Sequence, residues 1–262
     1  MPILKSGEAR IHYALQGQSG LPVLVFSNSL GANYSMWDPQ ASEFRKKFRI
    51  LRYDTRGHGQ SSSTPGPYSI ELLAKDVIVL LDALDLDRVH FCGLSMGGMI
   101  GMWLGVHAPE HLNKLVLCNT GARIGTLETW NARIEAVRKN GMKSVAPAII
   151  ERWFTPAFRQ KAPEMMAKIL KMIEEANPEG YAACCAAIRD FDCREQLGKI
   201  HTPTLVISGG HDPATPPQDG RFLAQQIPGA RYVELNAAHL SNIEAQDRFN
   251  DELAAFLNPK NS

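Results

Sequence analysis

The chain carries almost no excess charge of either sign. Its 262 residues hold 28 Lys and Arg against 27 Asp and Glu, a formal net charge of +1. No global field therefore draws nucleic acid or an anionic membrane surface, and the short basic run Arg45-Lys46-Lys47 reads as a solvated face. No stretch approaches the roughly 20 apolar residues of a membrane-spanning helix. The opening segment, MPILKSGEARIHYALQG, lacks the apolar core of a signal peptide. Cysteine is sparse: Cys92, Cys118, Cys184, Cys185 and Cys193 show no CxxC spacing. An odd, scattered set predicts reduced thiols and a cytoplasmic chain. The only metal-like spacing, His107 with His111, has Pro109 between its members at a predicted helix end and reads as two surface histidines. Internal repeats and low-complexity tracts are absent.

What is present is an ordinary globular composition, 44% hydrophobic and 21% charged. The length suits one large α/β domain, with or without an insertion, and is enough to bury a sizeable core. Short apolar runs alternate with helical patterns. PVLVFSNS from Pro22, FRILRYD from Phe48, VHFCGLS from Val89, KLVLCNT from Lys114, TLVISGG from Thr204 and RYVELN from Arg231 read as strands. Near-continuous apolar runs suit a parallel sheet covered on both faces. Amphipathic helices are predicted over Ile70 to Leu84, Gly98 to His107, Gly220 to Ile227 and Glu244 to Leu257. The alternation implies a doubly wound, mostly parallel α/β sheet with right-handed crossovers. From about Gly121 to Cys193 the rhythm breaks into helices punctuated by Pro156, Pro163 and Pro178. The expected organisation is a core of residues 1–121 and 194–262 with an inserted helical cap, 122–193. Ligands of open α/β sheets bind at the carboxyl ends of the strands, so such a block would roof the site.

One stretch carries the chemistry. In FCGLSMGGMIG, Ser95 stands where a predicted strand turns directly into a predicted helix. A turn that sharp strains the serine backbone and leaves no room for side chains two positions either side, which Gly93 and Gly97 remove. This is the G-x-S-x-G nucleophile elbow. A serine hydroxyl is a weak nucleophile at neutral pH and needs a base, oriented in turn by a carboxylate. On this fold the partners follow in the order acid, then histidine. Asp212 follows the TLVISGG run and His239 follows RYVELN, both at strand carboxyl ends. The competitors fit less well. His12, His90 and His201 lie within strands or at their beginnings, His58 sits in a Gly-rich turn, and Asp190 and Asp192 end the helical block. An oxyanion hole needs two preset N–H donors, one from the residue after the nucleophile. These are expected from Met96 and from Leu30 in the loop Asn28-Ser29-Leu30-Gly31.

With these residues in place the chain resembles the α/β-hydrolase superfamily over nearly its full length, and YDTRGHGQSS looks like that superfamily's turn after its fourth strand. Many relatives carry His-Gly where this chain has Asn28-Ser29, a departure that keeps the backbone donor and adds two polar side chains near the site. The blocks VFSNSLGANYSMWDPQ, GLSMGGMIGMWLGVHAP and GGHDPATPP, with TWNARIEAVRKNGM and ERWFTPAF in the cap, are similar to those of bacterial 3-oxoadipate enol-lactonases. The resemblance implies opening of an anionic five-membered enol-lactone in aromatic catabolism, with no metal or organic cofactor. It also implies a cation in the roof for the substrate carboxylate. Trp130 and Arg133, three apart on one predicted helix, share a face and form the candidate pair. A core tryptophan beside a solvated arginine is the equal alternative, and Arg123, Arg152 and Arg189 are rival cations. Trp153 would line the cavity or hold the cap together. Other readings stay open: a carboxylesterase, a perhydrolase, a hydrolase of carbon–carbon bonds, or a non-catalytic binder on the same fold. A complete Ser95, Asp212 and His239 set argues against the binder. Nothing in the sequence fixes the oligomeric state, a homo-oligomer included.

Overall fold

A computed structural model describes residues 2–257. Eight strands form one sheet: β1 (Ile3–Ser6), β2 (Ala9–Gln16), β3 (Val23–Ser27), β4 (Arg49–Tyr53), β5 (Val89–Leu94), β6 (Leu112–Cys118), β7 (Thr204–Gly209) and β8 (Arg231–Leu235), in the order β1-β2-β4-β3-β5-β6-β7-β8. The β1–β2 and β2–β4 pairs are antiparallel, and every other pair is parallel. In register, Ser27 faces Gly93, Gly93 faces Leu117, Leu117 faces Val206, and Val206 faces Tyr232. The carboxyl ends of five parallel strands therefore line one rim.

The six strands expected from apolar runs are present. The two extra ones, β1 and β2, form an antiparallel hairpin at the edge, where Ile3 is 55% exposed. A half-exposed hairpin has no need of a continuous apolar run, which is why its pattern was inconspicuous. By contrast β3, β5 and β7 are buried at every position.

The helices follow the same logic. After α1 (Asp38–Phe44), α2 (Ile70–Ala83) buries Leu73, Ala74, Val77, Leu80 and Leu81 on one face. The Ser69 hydroxyl caps it by accepting from Leu72 N–H at 3.1 Å. Helix α3 (Met96–His107) starts at the residue after Ser95 and is buried nearly all round, because α2 covers one side and the sheet the other. Five helices then lie between β6 and β7: α4 (Leu127–Asn140), α5 (Ala146–Trp153), α6 (Pro156–Lys161), α7 (Pro163–Glu174) and α8 (Pro178–Arg189). Proline opens α6, α7 and α8 at a position whose N–H has no intrahelical partner. The core face of α8 meets the turn after β4 at van der Waals limits: a Cβ on Gly57 would stand 2.6 Å from Gly180 Cα. The chain closes with α9 (Pro217–Gln226), the short α10 (Ser241–Glu244) and α11 (Gln246–Leu257). No helix among the described residues is long and apolar enough to cross a membrane.

Candidate active site

Ser95 has φ 58° and ψ −114°, a conformation costly for a residue with a Cβ. The surroundings impose it. Its N–H donates to Cys118 O at 2.9 Å, and its carbonyl accepts from the Thr120 hydroxyl at 2.8 Å and from Gly98 N–H at 2.9 Å. The flanking glycines are obligatory on contact grounds. A Cβ on Gly93 would lie 2.1 Å from Gly97 O, and one on Gly97 would lie 2.4 Å from Ser27 O. Both clashes are with backbone, which cannot rotate away.

Asp212 lies just beyond β7 and His239 just beyond β8, so the parallel register delivers both to the rim that carries Ser95. His239 Nδ1 stands 2.7 Å from Asp212 Oδ2, and both side chains are buried. A carboxylate only accepts, so Nδ1 is the donor, and in the neutral ring the lone pair is on Nε2. Asp212 is held on every side. Oδ1 accepts from Ala214 N–H at 2.8 Å and Thr215 N–H at 3.1 Å, while Oδ2 also accepts from the Thr215 hydroxyl at 2.6 Å and Asn119 Nδ2 at 3.0 Å. Burial pushes the carboxyl upward, but the His239 charge and the hydrogen bonds from His239, Thr215 and Asn119 outweigh it and hold the group below its ordinary value.

Near this centre the N–H groups of Leu30 and Met96 have no protein acceptor among the described residues. Their neighbours are engaged: Ser29 N–H with Met36 Sδ at 3.4 Å, Gly31 N–H with His58 Nε2 at 2.8 Å, and Gly97 N–H with Asn28 O at 3.0 Å. The last contact fastens the loop after β3 to the start of α3. Leu30 and Met96 are free to act as the expected donors. Of the two extra polar side chains in that loop, only Ser29 faces the pocket. Asn28 turns back into the core, where Nδ2 donates to Tyr53 O at 2.8 Å.

The pocket holding Ser95 and His239 has a volume of about 240 Å³, below the roughly 300–1,000 Å³ usual for ligand sites, so it suits a small ring rather than a long acyl chain. Its wall comes from the helical block. Trp130 and Arg133 of α4 line it, as do Arg152 and Trp153 of α5. Trp130 is buried, with Nε1 donating to Ile124 O at 2.6 Å, and the Arg133 guanidinium lies 4.9 Å over its ring. The rival cations separate cleanly. Arg123 lies 3.8 Å from Asp192, and Arg189 lies 2.7 Å from Asp190. Neither Arg133 nor Arg152 has a carboxylate within ion-pair distance among the described residues. Burial, then the charge of Arg133, holds the Arg152 guanidinium below its ordinary value. Two guanidiniums without a carboxylate partner thus share one small pocket.

Two contributors escape a reading of the sequence. Asn119, a non-glycine residue at φ 43°, ties Asp212, Ala238 O at 3.2 Å and the Ser241 hydroxyl at 2.6 Å into one cluster. An asparagine tolerates that backbone region better than most residues, and its position directly after β6 was the only available signal. His58, set aside as a base because it lies in a tight turn, instead accepts a hydrogen bond from the loop that carries Leu30.

The comparisons with known proteins agree with this fold. Residues 22–246 match the model of a family described by the alpha/beta hydrolase fold. The chain is 43% identical over 97% of its length to 3-oxoadipate enol-lactonase 2 of Acinetobacter baylyi, covering 95% of that protein. It is 38% identical to 3-oxoadipate enol-lactonase 1 of the same organism, covering 93% of this chain and 91% of that one. Among solved structures, the enol-lactonase from Burkholderia xenovorans LB400 superposes with a TM-score of 0.96 at 45% identity, over 98% of this chain and 99% of that one.

Proposed function

The chain belongs to the alpha/beta-hydrolase family, and we propose that within it this protein opens 3-oxoadipate enol-lactone to 3-oxoadipate, a step of bacterial aromatic catabolism. The observation that carries the proposal is the pairing, in one 240 Å³ pocket, of Ser95 and His239 with two guanidiniums that have no anion of their own. The enol-lactonase relatives support the choice of substrate. Residues 122–193 act as a cap in this reading.

Ser95 Oγ attacks the lactone carbonyl as its proton passes to His239 Nε2. The N–H groups of Leu30 and Met96 receive the negative charge that builds on the carbonyl oxygen. The tetrahedral intermediate collapses by breaking the ring C–O bond. The leaving group is an enolate, which takes the proton from His239 Nε2 and becomes the ketone of the product, and the imidazole is neutral again. An enolate leaves far more readily than an alkoxide, so proton delivery by His239 is less demanding here than in an alkyl ester. The acyl group stays on Ser95 until a water, deprotonated by His239, attacks it and releases the second carboxylate. Asp212 holds the imidazole tautomer and stabilises the imidazolium formed in each half-reaction. Arg133 and Arg152 hold the substrate's existing carboxylate, and Trp130 provides a flat wall for the ring.

The test is turnover of synthetic 3-oxoadipate enol-lactone, followed by loss of its ultraviolet absorbance, with Ser95→Ala alongside. The wild-type protein should consume the lactone, and Ser95→Ala should lose activity by orders of magnitude while retaining binding. A variant within about tenfold of wild-type would remove Ser95 from the nucleophile role.

A further inference from the structure

His239 sits on a loop tied to the helical block directly on one side and through Glu244 of α10 on the other. On one side Leu240 N–H donates to Trp153 O at 3.1 Å. On the other, Ala238 N–H donates to Glu244 Oε2 at 2.9 Å. The same Glu244 carboxylate accepts the Thr155 N–H at 3.3 Å on each oxygen and the Thr155 hydroxyl on Oε1. Trp153 and Thr155 end α5 and begin α6, and Trp153 lines the pocket. Residue 240 is thus bonded directly to this three-residue segment of the helical block, and residue 238 is linked to it through the Glu244 carboxylate.

The chemistry of the junction is specific. The Glu244 carboxylate has no basic side chain within ion-pair distance among the described residues, so its charge is balanced by N–H and O–H donors from the loop and the block. Hydrogen bonds to an ionised acceptor are about twice as strong as neutral ones. An open cleft of about 620 Å³, lined by Thr155, Phe158, Ala238 and Glu244, runs beside the junction.

We propose that Glu244 is a positioning residue that couples the segment Trp153 to Thr155 of the cap to the backbone flanking His239, so that the seating of the cap sets the aim of the catalytic base. The coupling rests on the roles proposed for Ser95 and His239, and not on which lactone is the substrate. A displacement of a reacting group by a fraction of an ångström lowers rate without altering the contacts that hold the ligand. Disturbing the junction from the cap side therefore slows turnover even of a substrate too small to need the cap.

The experiment uses p-nitrophenyl acetate, whose acyl group lacks the anionic arm, and the enol-lactone. It compares Thr155→Val, Glu244→Gln, the double variant and Thr155→Ser. Valine keeps the shape of threonine but removes the hydroxyl donor. Glutamine places an amide N–H₂ among groups that are all donors. Each of the two single variants should lower kcat for the acetate ester by about five- to tenfold with KM nearly unchanged. The double variant should be no slower than Glu244→Gln alone, because the two changes break one connection. Thr155→Ser, which keeps the hydroxyl, should stay near wild-type. The Thr155 hydroxyl also caps α6 by accepting from Phe158 N–H at 3.3 Å, and a thermal melt of each variant separates loss of that cap from loss of rate. Wild-type kcat for the acetate ester in a folded Thr155→Val protein would overturn the coupling, and so would effects that multiply in the double variant. Failure of the substrate reading has a different signature, a wild-type protein that hydrolyses the ester and not the lactone.

Discussion

His239 Nδ1 and Asp212 Oδ2 lie 2.7 Å apart at a position from which water is almost wholly excluded. The carboxylate fixes the ring with its proton on Nδ1 and its lone pair on Nε2. Asparagine at 212 could turn its N–H₂ toward Nδ1 and favour the opposite tautomer. Asp212→Asn should therefore lower kcat for the lactone by about 10⁴-fold with a small change in KM. Steady-state kinetics checks this, and a loss of less than about tenfold would mean that the imidazole does not depend on Asp212.

Asn119 makes the next layer of the same arrangement. Its amide donates to Asp212 and to Ala238 O, and its oxygen accepts from Ser241. Asn119→Ala leaves a buried hydroxyl and a buried carbonyl without these partners and withdraws one donor from the carboxylate. Unsatisfied buried groups cost about 1–3 kcal/mol each. A melting temperature lower by roughly 5–10 °C is expected, with kcat reduced by about tenfold because Asp212 and the His239 loop lose a shared anchor. Calorimetry and kinetics on the same preparation measure both.

The legible parts of this protein are those in which one local pattern has one physical cause. Parallel strands buried on both faces are apolar at nearly every position, so β3, β5 and β7 stand out in the sequence. Gly93 and Gly97 are required by contacts at 2.1 and 2.4 Å within a few residues of Ser95, so the elbow reads as a motif. Asp212 and His239 follow from chain order on a known topology. The edge hairpin is less visible because its exposure relaxes the hydrophobic pattern. Asn119 and Glu244 are illegible for another reason. Each acts through a partner far away in sequence, Asp212 for Asn119 and Thr155 for Glu244, and no spacing rule links residues that meet only after the sheet has closed. The choice among four arginines belongs to the same class, since it turns on where their acidic neighbours fall.

Arg133 and Arg152 both face the pocket and repel each other. An anionic ligand relieves that repulsion, so affinity should depend on both. Arg152→Met and Arg133→Met should each raise KM for the lactone by roughly tenfold or more, the scale of one charge-assisted hydrogen bond. KM for p-nitrophenyl acetate should move by less than about twofold. In the double variant the two losses should be less than multiplicative, because removing one guanidinium also removes a repulsion felt by the other. Equal effects on the anionic and neutral substrates would take both residues out of carboxylate binding.

His58 gives the protein an acid-sensitive point outside the catalytic set. Its Nε2 accepts the Gly31 N–H at 2.8 Å, and Nδ1 lies 3.4 Å from Arg56 O and 3.9 Å from Cys184 Sγ. Burial pulls its pKa from 6.5 down to about 4, against smaller opposing effects of the Arg56 carbonyl and Asp54. The folded protein refuses a proton that the unfolded chain accepts. Stability from this group is therefore complete above pH 6.5 and is lost as pH falls toward about 4. At about 1.4 kcal/mol per pH unit the loss is on the order of 3 kcal/mol. Protonation would also remove the acceptor that holds Gly31, the residue after Leu30, so activity should decline over the same range. His58→Gln keeps an oxygen acceptor and does not titrate. Urea unfolding at about pH 7.5 and about pH 4.5 should show the variant losing roughly 2–3 kcal/mol less than wild-type between the two conditions. His90, also held down to about 4 by burial, is common to both proteins and cancels in the comparison. Equal acid losses would mean that His58 is protonated in the folded state as readily as in the unfolded chain, and the Gly31 contact would then need a different donor and acceptor.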